Sequence, residues 1–425
     1  MYTRGVKRPK SYIGLMDCNN FFVSCERLFR PDLWNKPVAV LSSNDGCIVA
    51  RSNEVKAMGI PMGIPLFQAK QLADMSQVTL FSSNFTLYRD ISARVMQTLT
   101  AAVGEPEIYS VDEAFFAVPE TYTEADISAL RQHIMQTVGI PVSIGVGQTK
   151  TLAKVASELE KKGSGVCWLS PEKWAAVAPQ YPCGEVWNLG RATAAKLKRV
   201  GVEQAAEFMA LDTVYVHKQF GIQGRRLQDE LRGIVVHRLG TGVAEPPKSL
   251  TSSRSFAAAC HDLGQLESAL SYHVLQVALK LRTQHLQAGR LVVYVRPGRH
   301  SDWSFRRVLG EAPLTAATND TATLTQAALT VLRQQFDPQV PYKKAGVTLS
   351  QLVPETYEQP SLFSEQVAAP VHPSLDVITD ELAQRFGKGV VRLGTIRSSG
   401  PMTSQRLRSP AYTTNWGDIP RVQAE

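Results

Sequence analysis

The sequence predicts a multidomain α+β protein, and three observations support that class. At 425 residues the chain is longer than one compact core organises, and a length prior gives roughly three domains. Strand-like and helix-like segments alternate through about the first 170 residues, as in an α/β or split βαβ layer. After Pro182 short helices with glycine turns take over, and beyond Pro246 and Pro247 a second α+β unit follows.

Each element has its own signal. Tyr12 to Met16 reads as a short buried strand that ends at Asp17. Phe21, Phe22, Cys25 and Phe29 recur at helical spacing, so Asn20 to Phe29 is expected to be a helix, broken by Pro31. PVAVLS is a strand, and Ala50 to Gly59 a helix stopped by Gly59 and Pro61. Glu107 to Val118 reads as a strand pair or bent strand and Glu124 to Val138 as a helix. PVSIGVG is a strand, Thr151 to Lys162 a helix and GVCWL another strand. Residues from about 183 to 240 carry no strand signal. In the second unit SLTSSRSF is a strand, Leu263 to His285 a long helix, LVVYVRP a strand, Thr323 to Phe336 a helix and KAGVTLSQLV a strand. The chain after Pro354 is a polar, proline-containing tail with weak order signals, within which Leu375 to Phe386 has helical spacing.

Composition narrows the function classes. An apolar content of 44% fits a globular protein and excludes wholesale disorder. No apolar run approaches the roughly 18 residues of a membrane span. The basic opening lacks the apolar core and small-residue cleavage site of a signal peptide, so a cytoplasmic location is expected. The six cysteines are scattered without metal-binding or disulfide spacing. The formal net charge of +8 permits a polyanionic partner. Its distribution is more telling. Between Lys280 and Gly310 stand Lys280, Arg282, Arg290, Arg296, Arg299, Arg306 and Arg307 against a single acid, Asp302, and a second acid-free run spans Arg385 to Arg408. Such runs suit salt-dependent, sequence-blind contact with phosphates, as well as an ordinary solvated face.

The sharpest local signal is YSVDEAFF, residues 109 to 116. Burying Asp112 and Glu113 in an apolar strand without partners is costly, and in a regular strand they would face opposite sides. At the tip of a hairpin both can converge on a cation. Asp17 is a second oddity, closing an apolar strand directly before Cys18 and Asn19. Three carboxylates at strand ends suit two Mg²⁺ ions, which about 3.5–4 Å apart activate a hydroxyl and stabilise leaving pyrophosphate. From spacing alone, a helix-capping Asp17 and a solvated Asp112-Glu113 turn remain open.

The surrounding residues add to this. MDCNNFFVSCE, SSNDGCIVARSNEVKAMGIPMGIP, IYSVDEAFF, IGVGQTKTLAKVASELEKK and VWNLGRATAAKLKRVGV occur in the order found in Y-family DNA polymerases. Together with the tail segment SPAYTTNW, the chain resembles the UmuC-type branch of that family over essentially its whole length from about Tyr12. The resemblance implies a right-hand architecture. Its palm would comprise residues 1–30 and 81–181 and its fingers 31–80. A helical thumb with a helix-hairpin-helix would span 182–246, an α+β little finger 249–354, and a tail for clamp and partner binding 355–425.

By the same resemblance, Asp17 and Asp112 match the metal-bridging aspartates, Glu113 the adjacent catalytic glutamate, and the Cys18 carbonyl a further metal ligand, implying two Mg²⁺ ions. Phe22 matches the aromatic steric gate that rejects a ribose 2′-OH. Lys56 and Lys161 match cations that reach the incoming triphosphate, with Lys154 and Lys162 as neighbours to which the second assignment can slip. Asn53 and Lys56 depart from the tyrosine and arginine of many relatives. Gly190 and Arg191 match the turn of the helical hairpin, where backbone N–H groups meet a DNA phosphate. Arg296 and Arg306 are the candidate DNA contacts of the little finger. QPSLF resembles a sliding-clamp peptide, with Gln359 making polar contacts and Leu362 and Phe363 entering an apolar pocket.

The implied activity is low-fidelity, template-directed DNA synthesis past lesions in the DNA-damage (SOS) response, on primer-template DNA with dNTPs. The implied partners are the sliding clamp, a cleaved UmuD dimer and an activated recombinase (RecA) filament. A two-metal nuclease, a stand-alone polymerase of the DinB type and a non-catalytic DNA-binding repair scaffold are the competing readings.

Overall fold

The computed structural model describes residues 12–161, 163–240, 246–298, 301–356, 373–386, 391, 393–396 and 405–420. It divides into two compact units, one of residues 1–243 with 406–425 and one of residues 244–405.

The first unit begins with β1 (Tyr12–Cys18) and α1 (Phe21–Leu28). A small three-stranded sheet follows, made of β2 (Val38–Leu41), β3 (Ile48–Arg51) and β4 (Thr79–Ser82) in the order β3-β2-β4. Between β3 and β4 lie α2 (Asn53–Ala57), capped by the Ser52 hydroxyl, and α3 (Leu66–Leu72). The helix expected from Ala50 therefore starts later, because Ala50 and Arg51 pair with β2 as strand. The 19-residue α4 (Phe85–Val103) has no counterpart in the sequence-based expectations. Asn84 caps it, and Leu87, Tyr88, Ile91, Val95, Met96 and Leu99 are buried at regular helical spacing.

Next come β5 (Glu107–Ile108), β6 (Glu113–Val118), α5 (Glu124–Val138), β7 (Val142–Gly147), α6 (Lys150–Leu159) and β8 (Val166–Trp168). The bend expected in 107–118 is the turn between β5 and β6. The main sheet has the order β5-β6-β1-β7-β8, with β1 antiparallel to both neighbours and β7 parallel to β8. α6 lies directly against β7. A Cβ on Gly145 would sit 2.1 Å from the Ser157 nitrogen and 2.3 Å from the Ala153 oxygen, and one on Gly147 2.6 Å from the Ala153 nitrogen. The glycines of IGVG therefore permit this helix-on-strand contact, and the contact fixes where the lysines of α6 emerge.

The helical part holds α7 (Pro171–Val177), α8 (Arg191–Arg199), α9 (Ala205–Ala210) and α10 (Thr213–Leu231), the last interrupted at Gly221, where φ is 68°. Buried Glu230 ties it to α6, accepting from the Thr151 N–H at 3.1 Å while Thr149 Oγ1 donates to the Glu230 carbonyl at 3.0 Å. As expected, no strand occurs among the described residues of 183–240.

The second unit is an antiparallel sheet of β9 (Ser249–Cys260), β10 (Leu286–Pro297), β11 (Val308–Thr318) and β12 (Tyr342–Pro354), ordered β11-β10-β12-β9. The sequence reading passed over β11. α11 (Leu263–Thr283) and α12 (Thr321–Gln335) cover one face, burying Leu291, Val293 and Val295 of β10 and Val347 and Leu349 of β12. The residues that alternate with these along each strand point to the opposite face. Register places Arg296 beside Lys344, Tyr294 beside Gly346 and Val292 beside Thr348 there.

In the tail, the helical spacing of Leu375 to Phe386 is realised as a helix. α13 (Pro373–Phe386) sets Asp376 and Asp380, one turn apart, on Arg282 of α11 at 3.1 and 2.6 Å. Residues 406–420 belong to the first unit, where the Asn84 amide donates to the Ser409 and Pro410 carbonyls.

Candidate active site

The site grows from the middle of the main sheet. Asp17 on β1 stands opposite Glu113 on β6 and Ser143 on β7. Directly opposed residues on antiparallel strands share a face with Cβ atoms about 4.5–5.5 Å apart, where like charges repel. Asp17 is buried. Burial, reinforced by the Glu113 carboxylate and opposed by the Lys161 ammonium, pushes its pKa up to about 7. Asp112 is the last residue of the turn before β6. Its carbonyl accepts from the Cys18 N–H at 2.9 Å, and its carboxylate takes the Ser110 hydroxyl at 2.5 Å. The three carboxylates thus come from the ends of two paired strands, as expected.

Lysines answer these charges. Lys161 Nζ lies 3.0 Å from Asp17 Oδ2 and 3.0 Å from Glu158 Oε1, while Lys154 Nζ pairs with Glu113 Oε1. Lys154, expected only as a neighbour of Lys161, is therefore the cation paired with Glu113. The spacing 150, 154, 161 along TKTLAKVASELEKK was the available signal, since it puts three lysines on one side of α6 and its extension. Lys150, the third, bonds both oxygens of Glu107 at 2.6 Å. Burial and the three carboxylates push the Cys18 thiol well above its usual value. Cys18 can therefore serve the site through its backbone, not as a nucleophile.

Among the described residues no three His, Cys, Asp or Glu side chains form a ready cage for a metal ion. The donor set nonetheless suits a hard divalent cation. Asp17 and Glu113 form an opposed acidic pair whose repulsion a cation relieves, and Asp112 is held beside them by the Cys18 backbone.

Phe22 is the second residue of α1, half-buried. Its ring stacks on Tyr88 of α4 with centroids 4.5 Å apart and meets the Phe85 ring edge-on at 5.8 Å. The Tyr88 hydroxyl donates to buried Glu26 at 2.6 Å. Tyr88, Phe85 and Glu26 escaped the sequence reading along with α4. Lys56 donates to Asn20 Oδ1 at 2.6 Å, and Asn20, with φ of 48°, opens the helix that carries Phe22. Asn53, noted as a departure, accepts from the Asn20 amide at 3.1 Å. Lys56 of α2 is therefore linked to the Phe22 helix, whereas Lys161 reaches Asp17.

Gly190 is the extended N-cap of α8, φ −65°, with Arg191 as first helical residue and open space where a Cβ would stand. The left-handed positions flanking this helix are Asn188 and Gly201. The basic run 280–310 is acid-poor only along the chain. Folding brings Asp376 and Asp380 to Arg282, Glu311 to Arg290 and Asp337 to Arg306, the last at 3.4 Å. Arg282 is thereby an internal tie, and Arg296 keeps the open-face position next to Lys344. Gln359, Leu362 and Phe363 lie outside the described residues. All six cysteines are free thiols, and among the described residues no helix is long and apolar enough to cross a membrane.

Comparisons with known proteins supply the family. The model of the impB/mucB/samB family matches residues 16–158, its C-terminal-domain model residues 247–362, and a domain of unknown function residues 373–422. Protein ImpB of Salmonella typhimurium is 34% identical, covering 96% of this chain and 98% of its own length. Protein UmuC of the same species is 33% identical over 96% and 99%. DNA polymerase IV of Bacillus velezensis is 27% identical over 90% and 92%. With Asp17, Asp112 and Glu113 inside the first matched region, the chain belongs to the impB/mucB/samB family, the UmuC-type branch of the Y-family DNA polymerases.

Proposed function

We propose that this chain synthesises DNA past template lesions in the SOS response by two-metal nucleotidyl transfer at Asp17, Asp112 and Glu113. The observation that carries the reading is the register pairing of Asp17 with Glu113, with Asp112 anchored to Cys18 by a backbone hydrogen bond. Asp17, Asp112, Glu113 and the Cys18 carbonyl would hold two Mg²⁺ ions, which supply Lewis acidity toward the primer hydroxyl and the triphosphate. Lys161 and Lys154 now neutralise the acids on which those ions would sit. On nucleotide binding both are in position to turn to phosphate oxygens, as does Lys56 from the fingers side. Catalysis then rests on positioning and charge stabilisation. Phe22, braced by Tyr88 and Phe85, presents a ring against the sugar of the incoming nucleotide.

On this reading the main sheet with α4, α5 and α6 is the palm, the small sheet the fingers, α8–α10 the thumb, and the second unit the little finger. The little finger's open face carries Arg296, Lys344 and Tyr294 among the hydroxyls of Thr348, Thr251 and Ser253. That chemistry grips a DNA backbone without reading bases. The exposed N-terminus of α8 at Gly190 and Arg191 offers N–H groups to a further phosphate. The QPSLF peptide would dock on the sliding clamp. A cleaved UmuD dimer and a RecA filament are the further partners expected for this branch, in the cytoplasm.

Single-nucleotide incorporation on primer-template DNA tests the site. Glu113→Gln should abolish incorporation while DNA affinity stays within about twofold, because the substitution keeps size and hydrogen bonding but removes charge. Undiminished incorporation would refute the assignment, and cleavage of the primer in place of extension would favour a nuclease.

A further inference from the structure

Residues 406–412 contact the start of α4 and the end of α1, the two helices that carry Phe22 and its stacking partner Tyr88. On the α4 side, the Asn84 amide donates to Ser409 O at 3.2 Å, Ser409 Oγ at 3.0 Å and Pro410 O at 3.2 Å. The same Asn84 caps α4 through Oδ1, so these contacts fix the first turn, which carries Phe85 and Tyr88. Just before it, Ser82 and Leu407 exchange two hydrogen bonds, at 2.9 and 3.0 Å. On the α1 side, the Tyr412 ring stacks on Phe29, one turn beyond buried Glu26, with centroids 4.6 Å apart. Glu26 joins the two sides. One carboxylate oxygen accepts from Tyr88 at 2.6 Å, and the other has no partner at hydrogen-bonding geometry.

A buried carboxylate is tolerated only while donors face it. We propose that residues 406–412 form a clasp that positions Phe22 by holding α1 and α4 together, with Ser409, Asn84 and Tyr412 as positioning residues for sugar discrimination. The proposal rests on the reading of Phe22 as the sugar gate. Loosening the clasp lets the Tyr88 ring shift, and Phe22 loses the surface that keeps it pressed toward the sugar.

The test is the ratio of kcat/KM for dNTP over rNTP, measured with the full-length chain and its required partners. Ser409→Ala removes the hydroxyl, and Ser409→Thr restores it. Asn84→Asp keeps the α4 cap but removes the amide donors, providing a second variant should Ser409→Ala fold poorly. Phe22→Ala reports on the gate itself. The expected result is a large loss of discrimination in Phe22→Ala, a loss of about tenfold in Ser409→Ala and Asn84→Asp, as a small misplacement at a reactive site produces, and recovery in Ser409→Thr. A purely structural role would lower incorporation of both nucleotides and leave the ratio unchanged. If Phe22→Ala loses discrimination while the clasp variants keep it, the clasp is refuted and the gate stands. If Phe22→Ala itself keeps discrimination, both fall.

Discussion

Asp17 shows how one residue's surroundings set its chemistry. Its pKa of about 7 arises from burial first and from the Glu113 charge next, against the pull of Lys161. A divalent ion would supply what one ammonium does not, holding both carboxylates ionised. Asp17→Asn is expected to relieve the opposed charges, so the variant should melt no lower than wild type while incorporating nucleotides at least about 1000-fold more slowly. Differential scanning calorimetry beside an incorporation assay checks the pair of outcomes. Phe22→Ala should admit ribonucleotides by about 100-fold, the scale on which pocket size alone discriminates. Asp17, Asp112 and Glu113 stand out in the sequence as acids inside apolar runs, with a capping or solvated-turn reading left open by spacing alone, whereas Phe22 was singled out only through the family resemblance. Lys154 and Glu26 were not singled out. Their importance comes from partners 41 and 62 positions away along the chain.

At the level of elements, the glycines of β7 and the histidine of α11 each make a testable claim. Gly145→Ala would drive a methyl into the backbone of α6, and overpacking of this kind costs about 1–3 kcal/mol. Because α6 carries Lys150 and Lys154, the variant should lose nucleotide affinity as well as stability, read by urea denaturation and by KM. His273 is buried, with its Nδ1 2.9 Å from the Ser252 hydroxyl. Burial first, then Arg254 and Lys344, push its pKa down from 6.5 to about 4. The unfolded chain therefore binds a proton that the folded one refuses. The stability this neutral imidazole contributes is complete above pH 6.5 and is lost as pH falls from there toward 4. Urea midpoints of the second unit should fall across that window, and His273→Leu should flatten the dependence. Most helices and strands were legible from period and capping signals. α4 carried the same signals, Asn84 followed by regularly spaced apolar residues, and was passed over. β11 is amphipathic only weakly, with Pro313 and Gly310 in its run, so its pairing with β10 depends on a partner distant in sequence.

For the whole molecule, charge read along the chain misled where charge read across the sheet did not. The arginines between 280 and 310 look unopposed in sequence, yet Arg282, Arg290 and Arg306 meet acids from other elements. The open face of the second unit keeps Arg296 and Lys344 in register. Replacing both with alanine is expected to weaken DNA binding equally across sequences and to reduce the salt slope by about two, whereas Arg282→Ala should lower stability and leave that slope unchanged. Fluorescence anisotropy over a salt series separates the two. In the tail, α13 follows the helical spacing of Leu375 to Phe386, whereas the contacts of residues 406–412 rest on partners more than 300 positions away that no local pattern announces. The central claim is that Asp17, Asp112 and Glu113 form a polymerase site that copies damaged DNA. It is tested most directly by primer extension across an abasic site, comparing wild type with Asp112→Ala in the presence of the partner proteins. The account expects wild type to insert and extend opposite the lesion and Asp112→Ala to stop before it while still binding the primer-template. Bypass by Asp112→Ala at the wild-type rate would contradict it.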